Sequence, residues 1–127
     1  MIFIDTHVAV WLYAGDSDRL SPQAKVLLEN NDILISPAAV LELQYLYEIN
    51  KVTIESGSIV EFLQTSIGLQ ICECSFHRVI SDALPLNWTR DPFDRLITAQ
   101  AITRNILLVT KDAVIRRNCK LAVWEEQ

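Results

Sequence analysis

Five short apolar runs, separated by longer stretches of mixed apolar and polar residues, dominate the pattern of this chain. They cover residues 2–4, 33–35, 69–72, 106–109 and 121–123. Apart from Gln70, every residue of these runs is apolar, so the runs do not alternate regularly with polar residues, which is typical of parallel strands that are buried on both faces. The pattern therefore predicts five short buried strands.

The stretches between these runs carry helix signals. Three pairs combine a capping residue with a proline suited to the first helical turn: Ser21-Pro22, Ser36-Pro37 and Asp91-Pro92. Ser58 and Glu61 form a capping box that predicts a further helix start, and Pro85 predicts the end of a helix that begins near Phe76. Alternating strands and helices predict an α/β fold, a three-layer sandwich whose parallel sheet is covered on both faces.

The composition narrows the classes of protein. A length of 127 residues with 50% hydrophobic positions predicts a single domain over residues 1–127. No glycine-rich phosphate loop occurs, which excludes nucleotide-binding folds of that kind. Three cysteines without C-x-x-C spacing predict neither a disulfide framework nor a zinc ribbon. No apolar stretch reaches the roughly 18 residues of a membrane span, and no signal peptide is evident, so we expect a cytoplasmic protein without membrane association.

The charge is distributed unevenly along the chain. The formal net charge is −5, which by itself disfavours electrostatic binding of nucleic acid. Residues 1–64 hold three basic and nine acidic side chains, whereas residues 65–127 hold eight basic and seven acidic ones. The second half can therefore form a basic face for an anionic partner, although ordinary solvated surface charges explain the same residues.

Carboxylates occur where ligands bind in an open α/β sheet, beyond the carboxyl ends of the strands. Asp5 directly follows the first run, Glu42 lies in the helix after the second, and Asp112 follows the fourth. Asp91 and Asp94 begin the helix that leads to the fourth run. Clustered carboxylates repel one another unless a cation neutralises them, and oxygen ligands suit Mg²⁺ or Mn²⁺. Such a site favours hydrolysis of a phosphodiester.

Each of these acids also has an ordinary structural interpretation. Asp91 can act as a helix cap alone, and Asp94 can complement the helix dipole. Asp5 and Asp112 can be turn residues after strands, and Glu42 can be an acid on the solvent side of its helix. The metal site is a hypothesis that rests on all of these positions together.

The segments that carry these acids have a family likeness. They are IFIDTH at residues 2–7, LISP at 34–37 with LEL at 41–43, RDPFDRLI at 90–97 with AQA at 99–101, and LVTKD at 108–112. The sequence resembles the PIN-domain ribonucleases, and among them the VapC-like toxins of toxin–antitoxin pairs, over nearly its whole length. The resemblance implies a five-stranded sheet of order 3-2-1-4-5.

The resemblance also implies roles for individual residues. It assigns the catalytic metal-binding acids to Asp5, Glu42, Asp94 and Asp112, with Asp91 as an accompanying acid that is either a ligand or a cap. Thr6 and Thr110 match hydroxyl positions that support such a site. Our candidates for phosphate contact are the basic residues Arg95, Lys111, Arg116 and Arg117.

The activity implied is that of a metal-dependent endoribonuclease acting on RNA, a toxin paired with a cognate antitoxin and forming a homodimer. Two segments depart from the family pattern: many relatives have a histidine where residues 86–89 read LNWT, and some have a lysine where residues 45–47 read YLY. The alternative is a catalytically inactive PIN-like module that binds a partner protein.

Several other residues have competing interpretations. Cys72, Cys74 and His77 are close in sequence, but a core strand is favoured over a metal cluster. We assign no catalytic role to His7, for which a structural hydrogen bond is an equal alternative. The aromatic residues Trp11, Tyr13, Tyr45 and Tyr47 are interpreted as core, with base stacking or a partner interface as the alternative.

Overall fold

The fold is organised around one parallel sheet. The computed structural model describes residues 1–125. Its strands are β1 (Ile2–Ile4), β2 (Ile33–Ile35), β3 (Gln70–Ile71), β4 (Leu108–Val109) and β5 (Ala122–Val123). Their order in the sheet is β3-β2-β1-β4-β5, and every neighbouring pair is parallel. The α/β class and the expected order 3-2-1-4-5 are confirmed.

Helices fill the connections between the strands. They are α1 (Thr6–Ala14), α2 (Pro22–Glu29), α3 (Pro37–Glu48), α4 (Ser56–Ile67), α5 (Phe76–Ala83), α6 (Pro92–Arg104) and α7 (Ala113–Asn118), with a 3₁₀ turn at Ser17–Arg19. The general rule that crossovers between parallel strands are right-handed predicts, for this strand order, that the helices of the first two connections cover one face of the sheet and those of the last two cover the other. In the described part of the chain, no helix is long and apolar enough to cross a membrane.

The proline-marked helix starts are confirmed. Ser21, Ser36 and Asp91 are the N-caps of α2, α3 and α6, and each accepts a hydrogen bond from a backbone N–H of the first turn. The predicted start at Ser58 is wrong, because α4 begins two residues earlier. Ser56 fixes that start: its hydroxyl donates to the Val40 carbonyl at 2.6 Å, and its N–H donates to a side chain of α3.

Burial of the sheet differs from the expectation at its edge. Strands β1, β2 and β4 are buried throughout, whereas both residues of β3 are exposed and both residues of β5 are partly exposed. An edge strand has one neighbour and receives less cover. Cys72 and Cys74 lie beyond β3 rather than within a core strand, although Cys72 is buried and its N–H bonds the Ile35 carbonyl.

The connections diverge between β1 and β4. From β1 the chain continues to β2 and β3 on one side, and it then crosses to β4 and β5 on the other side. Ligands of open α/β sheets bind at the carboxyl ends of the strands at such a switch point. The ends of β1 and β4 lie level, since Ile4 is paired with Val109, so Asp5 and Thr110 emerge side by side.

Candidate metal centre

Asp5 is held at the end of β1 by hydrogen bonds to both of its carboxylate oxygens. The Thr6 N–H donates to Oδ1 at 2.7 Å, and the Thr110 hydroxyl donates to Oδ2 at 2.6 Å. The Asp5 N–H donates to the Val109 carbonyl at 3.0 Å, so the backbone is fixed against β4 as well. The side chain is buried, which makes an unneutralised charge costly there.

Glu42 enters the site from α3. Its Oε1 accepts the Thr6 hydroxyl at 2.5 Å, so one threonine contacts two carboxylates: Asp5 through its backbone and Glu42 through its side chain. Glu42 is 9% exposed. This burial is incompatible with the interpretation of Glu42 as an acid on the solvent side of its helix.

Asp94 completes a cluster of three carboxylates. It lies half-buried in the first turn of α6. One carboxylate oxygen from each of Asp5, Glu42 and Asp94 lies within 4.8 Å of the others, and within residues 1–125 this is the one group of three or more possible ligands so placed. Cys72, Cys74 and His77 are not grouped closely enough to hold a metal ion together, and in that part of the chain no other ligand completes a group of three with any of them. The end of β1, α3 and α6 meet at this point.

A buried polar contact fixes α6 relative to the sheet. The Ser36 hydroxyl, at the end of β2, donates to Gln100 Oε1 at 2.5 Å, and Gln100 Nε2 donates to the Cys72 carbonyl at 3.2 Å. Gln100 thus links α6 to the ends of two strands. Sequence reasoning did not identify this contact, although both residues lie in the segments that carry the family resemblance.

Asp91 and Asp112 border the cluster and cap helices. Asp91 Oδ1 accepts from the N–H groups of Phe93 and Asp94 at 2.8 and 3.2 Å. Asp112 Oδ1 accepts from two N–H groups of α7, both at 2.9 Å, and its own N–H donates to the Thr110 hydroxyl. In the described part of the chain, neither Oδ2 makes a hydrogen bond. Capping and a place beside the cluster are therefore compatible.

The five acids share one open cavity of about 410 Å³. Its other lining residues are His7, Val8, Trp11 and Lys111. Lys111 is the one lysine or arginine that the structure places on this wall within residues 1–125. The cavity is therefore strongly anionic, with a single lysine among its lining residues.

Crowding and burial change the protonation of the cluster. Burial raises the pKa of Asp5, a change that the Thr110 and Thr6 hydrogen bonds oppose. Burial also raises the pKa of Glu42, opposed by the Thr6 hydroxyl and reinforced by nearby Asp5. The pKa of Asp94 is raised to about 7, first by burial and then by the negative charges of its neighbours, Asp91 foremost. Such carboxylates are poised to exchange protons for a cation.

The structure separates the four basic candidates for phosphate contact. Lys111 lines the cavity. Arg95 lies outside its lining, because its guanidinium donates to the carbonyls of Ala83 and Leu84 at 2.9 and 2.8 Å and joins α6 to the end of α5. Arg116 donates to the Lys111 carbonyl at 3.1 Å, and neither it nor the exposed Arg117 lines the cavity.

Two aromatic residues reach the cavity that sequence reasoning left outside the site. His7 is exposed in the first turn of α1, and Trp11, one turn later, is partly exposed rather than buried in the core. Their ring centroids are 6.2 Å apart. The sequence signal was available, because a spacing of four places both rings on the same helix face just after Asp5.

The three tyrosines of the chain lie outside the lining of the acidic cavity. Tyr45 is 46% exposed and packs on Phe93 with ring centroids 5.7 Å apart. Tyr13 packs edge-on against Phe62 at 5.1 Å. The interpretation of Tyr45 as a core residue is therefore wrong, whereas Tyr13 and Tyr47 are partly buried.

Comparison with known proteins assigns a family. The PIN domain profile matches residues 2–121. Ribonuclease VapC22 of Mycobacterium tuberculosis is 30% identical over 122 residues, which cover 91% of this chain and 89% of the relative.

Solved structures agree in fold over nearly the full length of this chain. VapBC2 from Rickettsia felis, bound to a DNA fragment from its promoter, contains a chain with a TM-score of 0.69 and 25% identity, covering 98% of this chain and 100% of that one. A toxin–antitoxin complex from Klebsiella pneumoniae gives a TM-score of 0.67 at 18% identity, covering 97% and 96% of the two chains.

Proposed function

Since the chain belongs to the PIN domain family, we propose that it is a ribonuclease that hydrolyses RNA phosphodiester bonds with the help of a divalent cation. The observation that carries the proposal is the convergence of Asp5, Glu42 and Asp94, from three separate elements, within 4.8 Å of one another. The 30% identity to a ribonuclease over 91% of the chain supports the same activity.

The donor set fits a hard divalent cation. All of the clustered ligand atoms are carboxylate oxygens, which suit Mg²⁺ or Mn²⁺ rather than softer metals. Asp5, Glu42 and Asp94 would hold the ion, and Asp112 and Asp91 border it in the same cavity. The raised pKa values of Asp5, Glu42 and Asp94 are the expected cost of assembling this cluster without a positive charge.

The cation would supply Lewis-acid activation of water and neutralisation of charge on the phosphate. The chain itself orients the acids. The Thr6 and Thr110 hydroxyls donate to Glu42 and Asp5, so both carboxylate groups keep fixed orientations. Lys111, on the cavity wall, is positioned to contact a substrate phosphate. Because the cavity is otherwise anionic, RNA should bind weakly without a cation.

The biological setting follows from the relatives. VapC22 is named a ribonuclease, and the structural matches above are a VapBC protein and a toxin–antitoxin complex. We propose that this chain is the toxin of such a pair, with a cognate antitoxin as its protein partner. Homodimer formation, implied by the resemblance, stays a prediction that sedimentation analysis of the purified chain can measure.

The test is RNA cleavage by purified protein with Mn²⁺ and with EDTA. Glu42→Gln removes one charge from the cluster, and we expect cleavage to fall by about 100-fold or more, because several kcal/mol of charge stabilisation are lost. The matched control is Glu61→Gln, the same change at an exposed position of α4, which should cleave like the native chain. Equal cleavage by both variants, or cleavage that persists in EDTA, would contradict the proposal.

A further inference from the structure

A second cavity of about 490 Å³ adjoins the acidic one. His7 and Trp11 belong to the walls of both, so the two form one continuous surface along α1. Its other lining residues include the cations Arg19 and Lys51 and apolar residues such as Leu46 and Val52. We call this second cavity the α1 groove.

The groove differs from the acidic centre in charge and in chemistry. Arg19 and Lys51 are exposed cations, and Asp16 is the one acid that lines the groove within residues 1–125. The Arg19 guanidinium lies 5.9 Å from the centre of the Trp11 ring, and its Nε bonds Asp16 at 2.8 Å. Rings and a guanidinium thus form one wall, and Lys51 leaves the groove with one net positive charge beyond the Arg19–Asp16 pair.

The α1 helix sets the distance between this wall and the acids. Asp5 is the N-cap of α1, and Trp11 follows six residues later, which is about 9 Å along the helix axis. Trp11 is held from behind by the buried Trp124, with ring centroids 6.0 Å apart. A fixed aromatic wall next to a phosphodiester-cleaving centre can receive the nucleotide that adjoins the cleaved bond.

We propose that the α1 groove binds single-stranded RNA next to the scissile phosphate, with a base stacked on the wall formed by His7, Trp11 and Arg19 and the backbone contacted by Arg19 and Lys51. Single strands are recognised by this combination of aromatic or guanidinium planes and cations. A double helix keeps its bases stacked and cannot offer one to the wall. The inference rests on the proposed ribonuclease activity and adds a nucleotide-binding subsite next to its acidic centre.

The first measurement is binding, which is independent of cleavage. A fluorescein-labelled pool of single-stranded 12-residue RNAs of random sequence is titrated with protein in Ca²⁺ at several salt concentrations. Arg19→Gln and Lys51→Gln should each weaken binding and reduce the slope of log affinity against log salt by about 0.7, the value for one lost phosphate contact on a single strand. The control Arg78→Gln, an exposed arginine of α5 outside the groove, should leave the slope unchanged.

The second measurement tests stacking. The cut position is mapped in RNA cleaved from the pool, and abasic residues then replace single bases around it. We expect one flanking position at which base removal lowers kcat/KM by about 5- to 150-fold for the native chain. Trp11→Leu should lose the same factor on intact RNA and be insensitive to the abasic change. Arg19→Gln provides the same comparison if Trp11→Leu fails to fold.

The outcomes separate the two proposals. Slopes and abasic profiles that the groove variants leave unchanged would overturn the inference and leave the ribonuclease proposal standing. RNA that binds with the predicted slopes but is never cut would overturn the ribonuclease proposal, and with it the place of the groove beside a scissile phosphate, and would leave only RNA binding by the groove. Groove variants that cleave RNA normally but escape inhibition by the antitoxin would identify the groove as a protein-binding surface, which also overturns the inference.

Discussion

Thr110 is the residue on which the geometry of two acids depends. Its hydroxyl donates to Asp5 Oδ2 at 2.6 Å and accepts from the Asp112 N–H at 3.1 Å. Thr110→Val removes both contacts in a buried position, and Thr110→Ser keeps the hydroxyl. We expect the valine variant to need about 10- to 100-fold more Mn²⁺ for half-maximal cleavage, as for other residues that orient metal ligands.

The serine variant is the control for this prediction. It should retain a metal requirement close to that of the native chain, since its hydroxyl can make the same two bonds. A structural role alone would lower the melting temperature of the valine variant and leave the Mn²⁺ concentration at half-maximal rate unchanged. That result would show that Thr110 does not orient the metal-binding acids.

The raised pKa of Asp94 predicts how the stability of the metal-free protein depends on pH. The pKa of Asp94 is about 7 in the folded protein, against an ordinary value of 3.8, so between these pH values the folded chain keeps a proton that the unfolded chain has released. Stability from this group is therefore full below about pH 4 and is lost as the pH rises through 7. In EDTA, the native chain should lose more unfolding free energy between pH 5 and pH 8 than Asp94→Asn does, measured by urea denaturation. Equal losses would contradict the raised pKa.

Single residues were predictable from sequence where a local rule applied. Asp5 and Asp94 occupy strand-end and helix-start positions that can be recognised without a structure. The partner of a flexible side chain cannot be recognised in that way. Arg95 stands beside Asp94 in sequence, yet its guanidinium bonds carbonyls 11 and 12 residues away instead of facing the cavity. Which of several polar groups an arginine bonds depends on distances that only the folded chain defines.

At the scale of elements, Asp91 at the start of α6 has two possible roles, helix cap and metal ligand, which substitutions can distinguish. Its Oδ1 caps the helix, and it lines the acidic cavity outside the three-carboxylate cluster. Asp91→Asn keeps a capping oxygen and should retain stability within a few tenths of a kcal/mol, whereas Asp91→Ala should lose about 1 kcal/mol. Unfolding by urea measures both.

Activity then distinguishes capping from metal binding. Because Asp91 is outside the cluster, we expect Asp91→Asn to reduce cleavage less than Asp94→Asn does. A loss as large as that of Asp94→Asn, at unchanged stability, would instead make Asp91 a ligand. A stable and equally active alanine variant would contradict both roles.

Element boundaries followed from sequence only where the signal was local and uncontested. Proline after a capping residue marks a helix start directly, and α2, α3 and α6 begin there. The capping box predicts that α4 starts at Ser58, but the helix starts at Ser56, because Ser56 makes long-range hydrogen bonds to α3. No local sequence pattern contains these bonds. The exposure of β3 depends on its place at the sheet edge, and apolar residues alone do not reveal that position.

For the whole molecule, the strand order came from the family resemblance and not from the pattern of apolar runs. Five buried strands are compatible with many orders. The order fixes the divergence between β1 and β4 and therefore the place where separate carboxylates meet. The acids themselves explain part of the net charge of −5, which first disfavoured a nucleic-acid enzyme. A divalent cation bound there would offset two of these negative charges, so the overall charge is a poor guide to the substrate.

The metal requirement is therefore a property of the whole fold and can be measured without RNA. A cation that binds the folded chain alone, at 100 times its dissociation constant, adds about 2.7 kcal/mol of stability. For a domain of this size that corresponds to a rise of roughly 10 °C in melting temperature. We expect this rise with Mn²⁺ for the native chain and for Glu61→Gln, and its loss in Glu42→Gln. A protein-binding module without a metal site would instead melt at the same temperature with Mn²⁺ and with EDTA, and such a result would favour that alternative over the enzyme.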